Sequence, residues 1–248
     1  MENLNAVVTG GTRGIGLAIS KSLARRGASV ALIYSSNEKN AEKALDQVRR
    51  IKSIGASIIA LRGDVSDAAV VAENYAFVRK ELGPVHILVN NAGIMPALSY
   101  SDITVEDWNR TMAVNLNGAF YWSKHVVPDM KAEAFGRIVN ISSIAARGGG
   151  IVGPHYAASK AGMLGLTRYA AKELGPFGIT VNAIAPAFIE DAGIFTEWSD
   201  KEKEKLRQKV SVPRIGNTGD VVRAFEYLID SPFVTGVTLD VNGGTFMI

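Results

Sequence analysis

Thr9-Gly10-Gly11-Thr12-Arg13-Gly14-Ile15-Gly16 stands between a short apolar run, Ala6-Val7-Val8, and the start of a helical pattern. The glycines of this strand-to-helix turn have separate tasks. Gly10 permits the tight turn, Gly14 lets the backbone approach a pyrophosphate, and Gly16 lets the helix pack close to the sheet. The helix that follows presents unpaired N–H groups and a partial positive charge to that anion. Glycine costs backbone entropy, so three at one turn without a ligand would be loss without gain. Thr12, Arg13 and Ile15 complete the segment that would face the dinucleotide.

Outward from this turn the same alternation repeats. Apolar runs at 29–34, 57–61, 85–89, 137–141, 179–184 and 237–241 read as buried strands, and near-continuous apolarity suits strands covered on both faces. Helical patterns fill about 14–26, 38–54, 67–82, 104–131, 155–175 and 218–230. The expected fold is α/β, a doubly wound (Rossmann) parallel sheet of about seven strands with helices on both faces. Gly27, Gly55, Gly83 and Gly175 each follow a helical pattern, where a left-handed residue closes a C-terminus. No linker or repeat interrupts the chain, so residues 1–248 read as one domain. The longest irregular stretch, 186–212, has the length of a lid or substrate loop.

Composition narrows the classes. The 248 residues are 47% hydrophobic and 21% charged, ordinary for a globular protein and unlike a disordered one. Absence of Cys excludes disulfides, thiol nucleophiles and thiolate-bound metals. The 27 basic and 24 acidic residues leave +3, spread along the chain with no phosphate-tracking cluster. Lys201-Glu202-Lys203-Glu204-Lys205 alternates in sign, as a solvated helix face does. Nucleic acid is therefore not an expected partner. No run approaches the ~18 apolar residues of a membrane span, and Glu2 and the short apolar stretch after it do not resemble a signal peptide. A soluble cytoplasmic protein is expected.

The second strand ends Tyr34-Ser35-Ser36-Asn37 without a carboxylate to bind ribose hydroxyls. Arg13 lies in the glycine loop and Lys39 is near, so a 2′-phosphate would find charge-assisted donors and nothing to repel it. NADP(H) is the expected cofactor.

Tyr156 and Lys160 sit four apart on one helical pattern and share a face. A nearby ammonium favours phenolate, so the phenol is expected to become more acidic than its ordinary ~10, by as much as ~3 units only with the cofactor's positive nicotinamide helping. Ser143 follows the apolar strand ending at Ile141, at the sheet edge where open α/β sheets bind ligands. Ser142 competes with it, and one of the two caps the turn. Asn90-Asn91-Ala92-Gly93 closes strand four at the same edge. Asn115, among Met112, Val114 and Leu116, needs a polar partner.

Together these residues resemble the short-chain dehydrogenase/reductase family, in its single-domain branch. The likeness runs through the glycine loop, Asp64-Val65, Asn90–Gly93, Asn115, Ser143, Tyr156, Lys160, the Pro186 segment and Val241-Asn242-Gly243-Gly244. The resemblance implies that Tyr156 is the general acid in carbonyl reduction. By the same likeness Lys160 lowers its pKa and holds the nicotinamide ribose, Ser143 binds the substrate oxygen, and Asn115 supports a proton-relaying water. It further implies that Asp64 and Val65 meet the adenine, that Asn91, Ala92 and Gly93 line the adenosine ribose, and that Pro186 and Ile189 shape the carboxamide site. The sequence is most similar to 3-oxoacyl-acyl-carrier-protein reductases, which implies a ketone substrate, an acyl-carrier-protein thioester among the candidates, and a homotetramer. Within the class, a dehydrogenase of another small alcohol, sugar or steroid is the alternative; outside it, a non-catalytic NADP sensor.

Two departures bear on the cofactor loop. Ala187 stands where that family commonly has Gly, and Asp191 where a cofactor-holding Thr is common. A carboxylate there would repel phosphates unless the loop turns it outward. Ala134 and Phe177 occupy positions where the carrier-protein reductases place docking arginines, with Lys131 nearby as a partial substitute. His155 neighbours Tyr156 and is a candidate substrate contact, but no second His stands at ligand spacing and no metal is expected. His86 and His125 read as packing residues. Arg147 reads as a loop cation or an anchor for an acidic substrate, and Phe188, Phe195 and Trp198 as a substrate wall or as packing.

Overall fold

Side chains alternate between the two faces of a strand, and here both faces are apolar. From β1 (Asn5–Thr9), β2 (Ser29–Tyr34), β4 (Ile87–Asn90) and β5 (Gly136–Ile141), residues Ala6, Val8, Val30, Leu32, Ile87, Val89 and Val139 enter one core. Their neighbours Val7, Ala31, Ile33, Leu88 and Ile138 enter another on the opposite face. Completing the sheet are β3 (Ile58–Arg62), β6 (Ile179–Pro186) and β7 (Thr238–Val241). All seven expected strands are present, all parallel, in the order β3-β2-β1-β4-β5-β6-β7. The computed structural model describes residues 1–247, except for the side chains of Ile194 and Glu197.

Helices cover both cores. On the first pack α1 (Gly14–Arg25), α2 (Glu38–Arg49) and α9 (Thr218–Asp230), through Ile19, Leu23, Val48, Phe225 and Leu228. On the second pack α3 (Ala68–Leu82), α5 (Gly118–Ala132) and α7 (Pro154–Leu174), through Val78, Trp122, Met130 and Leu174. The chain moves from β1 out to β3, then returns to the other side of β1 at β4. That reversal opens a crevice beyond the C-terminal strand ends, where open α/β sheets take their ligands.

Four expectations about the helices need correction. The stretch 104–131 is not one helix: α4 (Val105–Met112) and α5 are joined by a π-helical turn, Ala113–Asn117. Asn115 lies in that turn and is bonded to the backbone of Ile94 and to Ser159, partners that a widened turn can accommodate. α2 stops at Arg49 rather than near 54, because Ser53 bonds instead to the end of α1, through Ala24 O and Arg25 O. Gly175 is right-handed (φ −51°), and the left-handed residue is Gly178 (φ 74°). Pro176 has no N–H to return to the helix, so closure is delayed by one short 3₁₀ turn. Finally, 186–212 is partly ordered, with a 3₁₀ turn Gly193–Glu197 and α8 (Asp200–Arg207), opened by a Ser199/Glu202 capping box. The alternating lysines and glutamates lie along α8, whose Leu206 packs under Phe188 and Ile215. α6 (Ala145–Gly148) is one further short turn.

Candidate active site

The glycine loop closes β1 and opens α1. Gly10 (φ 63°) and Gly14 (φ 50°) take conformations that L-residues avoid. A Cβ on Gly16 would collide with the Gly10 carbonyl and the Asn91 amide, so the third glycine fits the loop to itself as much as to the sheet. Gly11, which the glycine spacing did not single out, approaches the backbone of β2: a Cβ there would lie 3.2 Å from Leu32 Cα. α1 has no side-chain cap and no acidic residue in its first turn. Its first N–H groups therefore remain available to an anion, the donor set a dinucleotide pyrophosphate requires. Asn91 donates from Nδ2 to the carbonyls of Thr9 (2.9 Å) and Gly10 (3.1 Å), and Thr9 Oγ1 accepts from the N–H groups of Asn91 and Ala92. The Asn91 side chain thus braces the loop.

From this loop a crevice of about 680 Å³ runs across the strand ends. It takes in all the candidate residues but two: Gly10, Thr12, Arg13, Gly14 and Ile15 at the loop, Tyr34, Ser35 and Ser36 after β2, Asp64 and Val65 after β3, and Asn91 after β4. Ala92, Gly93, Ser143, Tyr156, Lys160, Pro186 and Ile189 line the rest; Gly16 and Asn115 support it from behind. Arg13 is exposed at the rim beside Ser35 and Ser36, whereas Lys39 is not part of the lining. Arg62, at the end of β3 and likewise outside the lining, donates from Nε to the Ser35 carbonyl at 3.2 Å and so stands behind this corner. Sequence spacing gave no signal for it, since only the β2–β3 pairing Tyr34↔Arg62 places it there. Asp64 is paired with Arg110 at 2.8 Å and accepts from Ser66. Burial raises its carboxyl, but the Ser66 and Arg110 hydrogen bonds outweigh that and hold it below its ordinary value.

At the other end, β5 and α7 meet. Ser142 is buried and donates to the Lys160 carbonyl at 2.9 Å, tying the strand to the helix. Ser143 lines the crevice beside Tyr156, and its Oγ also caps the turn after β5 by accepting from Ala145 N at 3.1 Å. Tyr156 and Lys160 are 7% and 3% exposed. Lys160 Nζ donates to the Ile141 carbonyl at 2.8 Å, and Gly93 leaves open the space beside it: a Cβ there would lie 3.5 Å away. Burial lowers the Lys160 pKa to about 8. In the ligand-free protein burial likewise pushes the Tyr156 phenol up, and the nearby Ser143 hydroxyl offsets only part of that. The acidification expected from the sequence calls on a cationic nicotinamide as well as the ammonium.

Asn115 has both amide hydrogens and its carbonyl oxygen engaged. Its Oδ1 accepts from Ile94 N (2.8 Å), and its Nδ2 donates to Ile94 O (3.0 Å) and Ser159 Oγ (3.1 Å). Ser159, which the sequence did not flag, passes the contact on by donating to the Tyr156 carbonyl at 2.8 Å.

The crevice wall over this corner is apolar: Met95, Ile144, Ile151, Val152, Phe188 and Phe195. Trp198 stands behind Phe195, ring centroids 5.1 Å apart, and is packing rather than lining. Arg147 is neither a free cation nor an anchor, because it is paired with Asp240 at 3.1 Å. His155 is fully buried outside the lining and is not a crevice contact. His86 accepts from Asn5 N, and His125 stacks on Tyr75. Asp191 turns toward α9, where it accepts from the backbone and side chain of Thr218. Ala134 takes a left-handed conformation (φ 49°), and Lys131 Nζ lies 4.4 Å over the Phe177 ring.

Comparison with known proteins matches residues 4–203 to the family model described as short chain dehydrogenase. The chain is 38% identical over 243 residues to an acetoacetyl-CoA reductase of Rhizobium meliloti strain 1021, covering 97% of this chain and 98% of the other. It is 35% identical over 247 residues to a 3-oxoacyl-acyl-carrier-protein reductase of Staphylococcus epidermidis, covering 99% and 100%. Among solved structures it matches a Sinorhizobium meliloti 1021 protein, provisionally described as a short-chain alcohol dehydrogenase. That match has a TM-score of 0.91 at 30% identity over 99% of this chain and 97% of the other.

Proposed function

The chain belongs to the short-chain dehydrogenase/reductase family, and from that premise we propose that it reduces a ketone of the 3-oxoacyl type to a secondary alcohol with NADPH. The family fixes the coarser statement, an oxidoreductase of CH–OH and keto groups that uses a nicotinamide cofactor. One observation carries the catalytic part of the reading. Ser143 and Tyr156 line the same crevice at the end of β5, with a buried ammonium one helical turn away. The arginine-bearing, carboxylate-free end of β2 supports NADPH, and the relatives support the 3-oxoacyl substrate.

Bound reduced nicotinamide supplies the hydride for the carbonyl carbon. Tyr156 gives its proton to the carbonyl oxygen, and Ser143 donates a hydrogen bond to the alkoxide as it forms. Lys160, held by Ile141 O, stabilises the phenolate left behind and holds the ribose. Asn115 positions Ile94 and Ser159 around this corner and, in the same reading, supports a water that relays protons to Lys160. Thr12, Arg13, Ile15 and the N-terminus of α1 bind the phosphates. Tyr34, Ser35, Ser36 and Arg13, with Arg62 behind them, take the 2′-phosphate. Asp64, Val65, Asn91, Ala92 and Gly93 hold the adenosine, and Pro186 and Ile189 hold the carboxamide side.

The apolar wall favours a substrate whose carbonyl carries an uncharged aliphatic or aromatic group. An acyl-carrier-protein thioester remains within the class, although Lys131 is engaged with Phe177 and offers a carrier little. Exposed Val105, Trp108, Phe120 and Tyr169 on α4, α5 and α7, and exposed Tyr227, Phe233 and Val237 near the β7 edge, support self-association as a homotetramer. No described helix is long and apolar enough to cross a membrane. A cytoplasmic site of action, one working domain and a lid at 186–212 belong to the same proposal.

The test is loss of the reduced-nicotinamide absorbance with acetoacetyl thioesters, diketones and aldehydes, using NADPH and NADH in parallel. Turnover of a ketone with NADPH preferred is expected, and Arg13→Ala should narrow the preference. Equal kcat/KM with both cofactors would overturn the cofactor assignment. Tight cofactor binding with no turnover of any carbonyl would favour a sensor.

A further inference from the structure

Between β6 and α9 the chain leaves the sheet and crosses the crevice, and its root is fastened at one place. Phe188 and Glu190 pair with Gly216 through Gly216 N to Phe188 O (3.1 Å) and Glu190 N to Gly216 O (2.9 Å). One residue further, both oxygens of Asp191 close on a single partner. Oδ1 accepts from Thr218 N at 2.8 Å and Oδ2 accepts from Thr218 Oγ1 at 2.7 Å. The N-terminus of α9 does not need this carboxylate for its own cap, because Asn217 and Asp220 already form a reciprocal box. Asp191 instead takes the leftover N–H of the first helical residue, and its charge rests on the positive end of a 13-residue helix.

The segment so fastened faces the glycine loop. A Cβ on Gly14 would lie 3.3 Å from Ala192 Cβ, and one on Gly193 would lie 3.4 Å from Met95 Cε across the crevice. Ala192 is itself buried. The residue after the clasp therefore sits directly over the backbone that would receive the pyrophosphate.

We propose that Asp191 is a positioning residue: its clasp on Thr218 holds Ala192 and Gly193 over the glycine loop and thereby slows escape of the bound dinucleotide. This rests on the nicotinamide reading of the loop. The clasp also keeps a carboxylate near the phosphates occupied with α9, so the position tolerates an acidic residue.

Two variants separate the clasp from simple charge. Asp191→Ala removes both hydrogen bonds and the charge; Thr218→Val removes one hydrogen bond and leaves the charge. If the clasp governs retention, each variant raises the NADPH dissociation rate, by roughly three- to tenfold for bonds of this kind. The double variant then adds little to Asp191→Ala alone. The KM for cofactor rises while kcat at saturating cofactor changes less than twofold. Hydrogen exchange of the ligand-free protein should show faster exchange confined to about 187–200, with α9 unaffected. If charge alone mattered, Asp191→Ala would bind NADPH more tightly and Thr218→Val less tightly. Opposite signs, full additivity, or unchanged dissociation and exchange in both variants would overturn the proposal. Failure of the unmodified protein to bind any nicotinamide dinucleotide would sink the cofactor reading itself, and the proposal with it.

Discussion

The Lys160 ammonium lies 5.8 Å from the centroid of the Tyr156 ring and donates to the Ile141 carbonyl, so in the free protein its charge is tied to the end of β5. Two groups of opposite acid–base character are thus buried side by side, and burial drives each toward its neutral form. A bound dinucleotide would give the ammonium a ribose to hold and the phenol a cationic ring nearby after reduction of substrate.

A pH signature follows from Lys160. Its folded pKa, about 8, lies below the ordinary 10.5. Below pH 8 both folded and unfolded chains hold the proton, and the folded state bears the cost of the buried charge. Between pH 8 and 10.5 the unfolded chain binds a proton that the folded one has released, so stability rises with pH. Denaturant unfolding of the ligand-free protein and of Lys160→Met should therefore diverge over that window. The protein should gain on the variant by about 3 kcal/mol at most, as an order of magnitude. A stability difference independent of pH would contradict it.

Asn115→Leu should destabilise the fold as well as slow turnover. The substitution leaves the N–H and C=O of Ile94 without their partners and frees the Ser159 hydroxyl. A loss of about 2–3 kcal/mol is expected from unmade hydrogen bonds of this kind, read by denaturant midpoint. Because Ile94 lines the crevice, kcat should fall further than the lost stability alone explains. Unchanged stability would mean that the π turn is held by something other than this side chain.

Far from the crevice, Asp129 joins α3, α5 and the segment before β4. It accepts from Arg79 Nε at 2.9 Å, Tyr75 OH at 2.9 Å and Val85 N at 3.2 Å. Burial and then the Asp129 carboxylate push the Tyr75 phenol up to about 12. Asp129→Ala strands a buried N–H and should cost about 3 kcal/mol, while leaving the cofactor dissociation constant unchanged. Asp129→Asn, which keeps one acceptor, should cost less. A cofactor effect as large as the stability effect would contradict this separation.

What was legible in the chain follows from short-range chemistry. Val7, Val8, Val30 and Leu32 marked their strands because both faces of a parallel sheet are covered, and the run of apolar residues records that directly. The glycine loop and the Tyr156/Lys160 pair are legible because their spacing along the chain is itself the geometry, and Ser143 because it follows a strand whose end opens on the crevice. The π turn at Asn115 was hidden, since one extra residue in a helix leaves the apolar pattern almost unaltered. Arg62 beside Ser35, Arg147 on Asp240 and Asp191 on Thr218 are pairings between distant segments, and nothing local announces them. Charges beside the phenol, the ammonium and a bound nicotinamide, can be read along the chain, whereas its burial, which pushes it up in the ligand-free protein, is a property of the whole fold.

The most direct test of the account is single-turnover reduction of a diketone by NADPH in Tyr156→Phe, alongside the NADPH dissociation constant of the same variant. The ring stays and only the hydroxyl beside Ser143 is lost. The account predicts a chemical step slowed by about 10²–10⁴-fold, the usual worth of a positioned general acid, with cofactor binding within a factor of about three. A variant that reduces the diketone at close to the normal rate would contradict it.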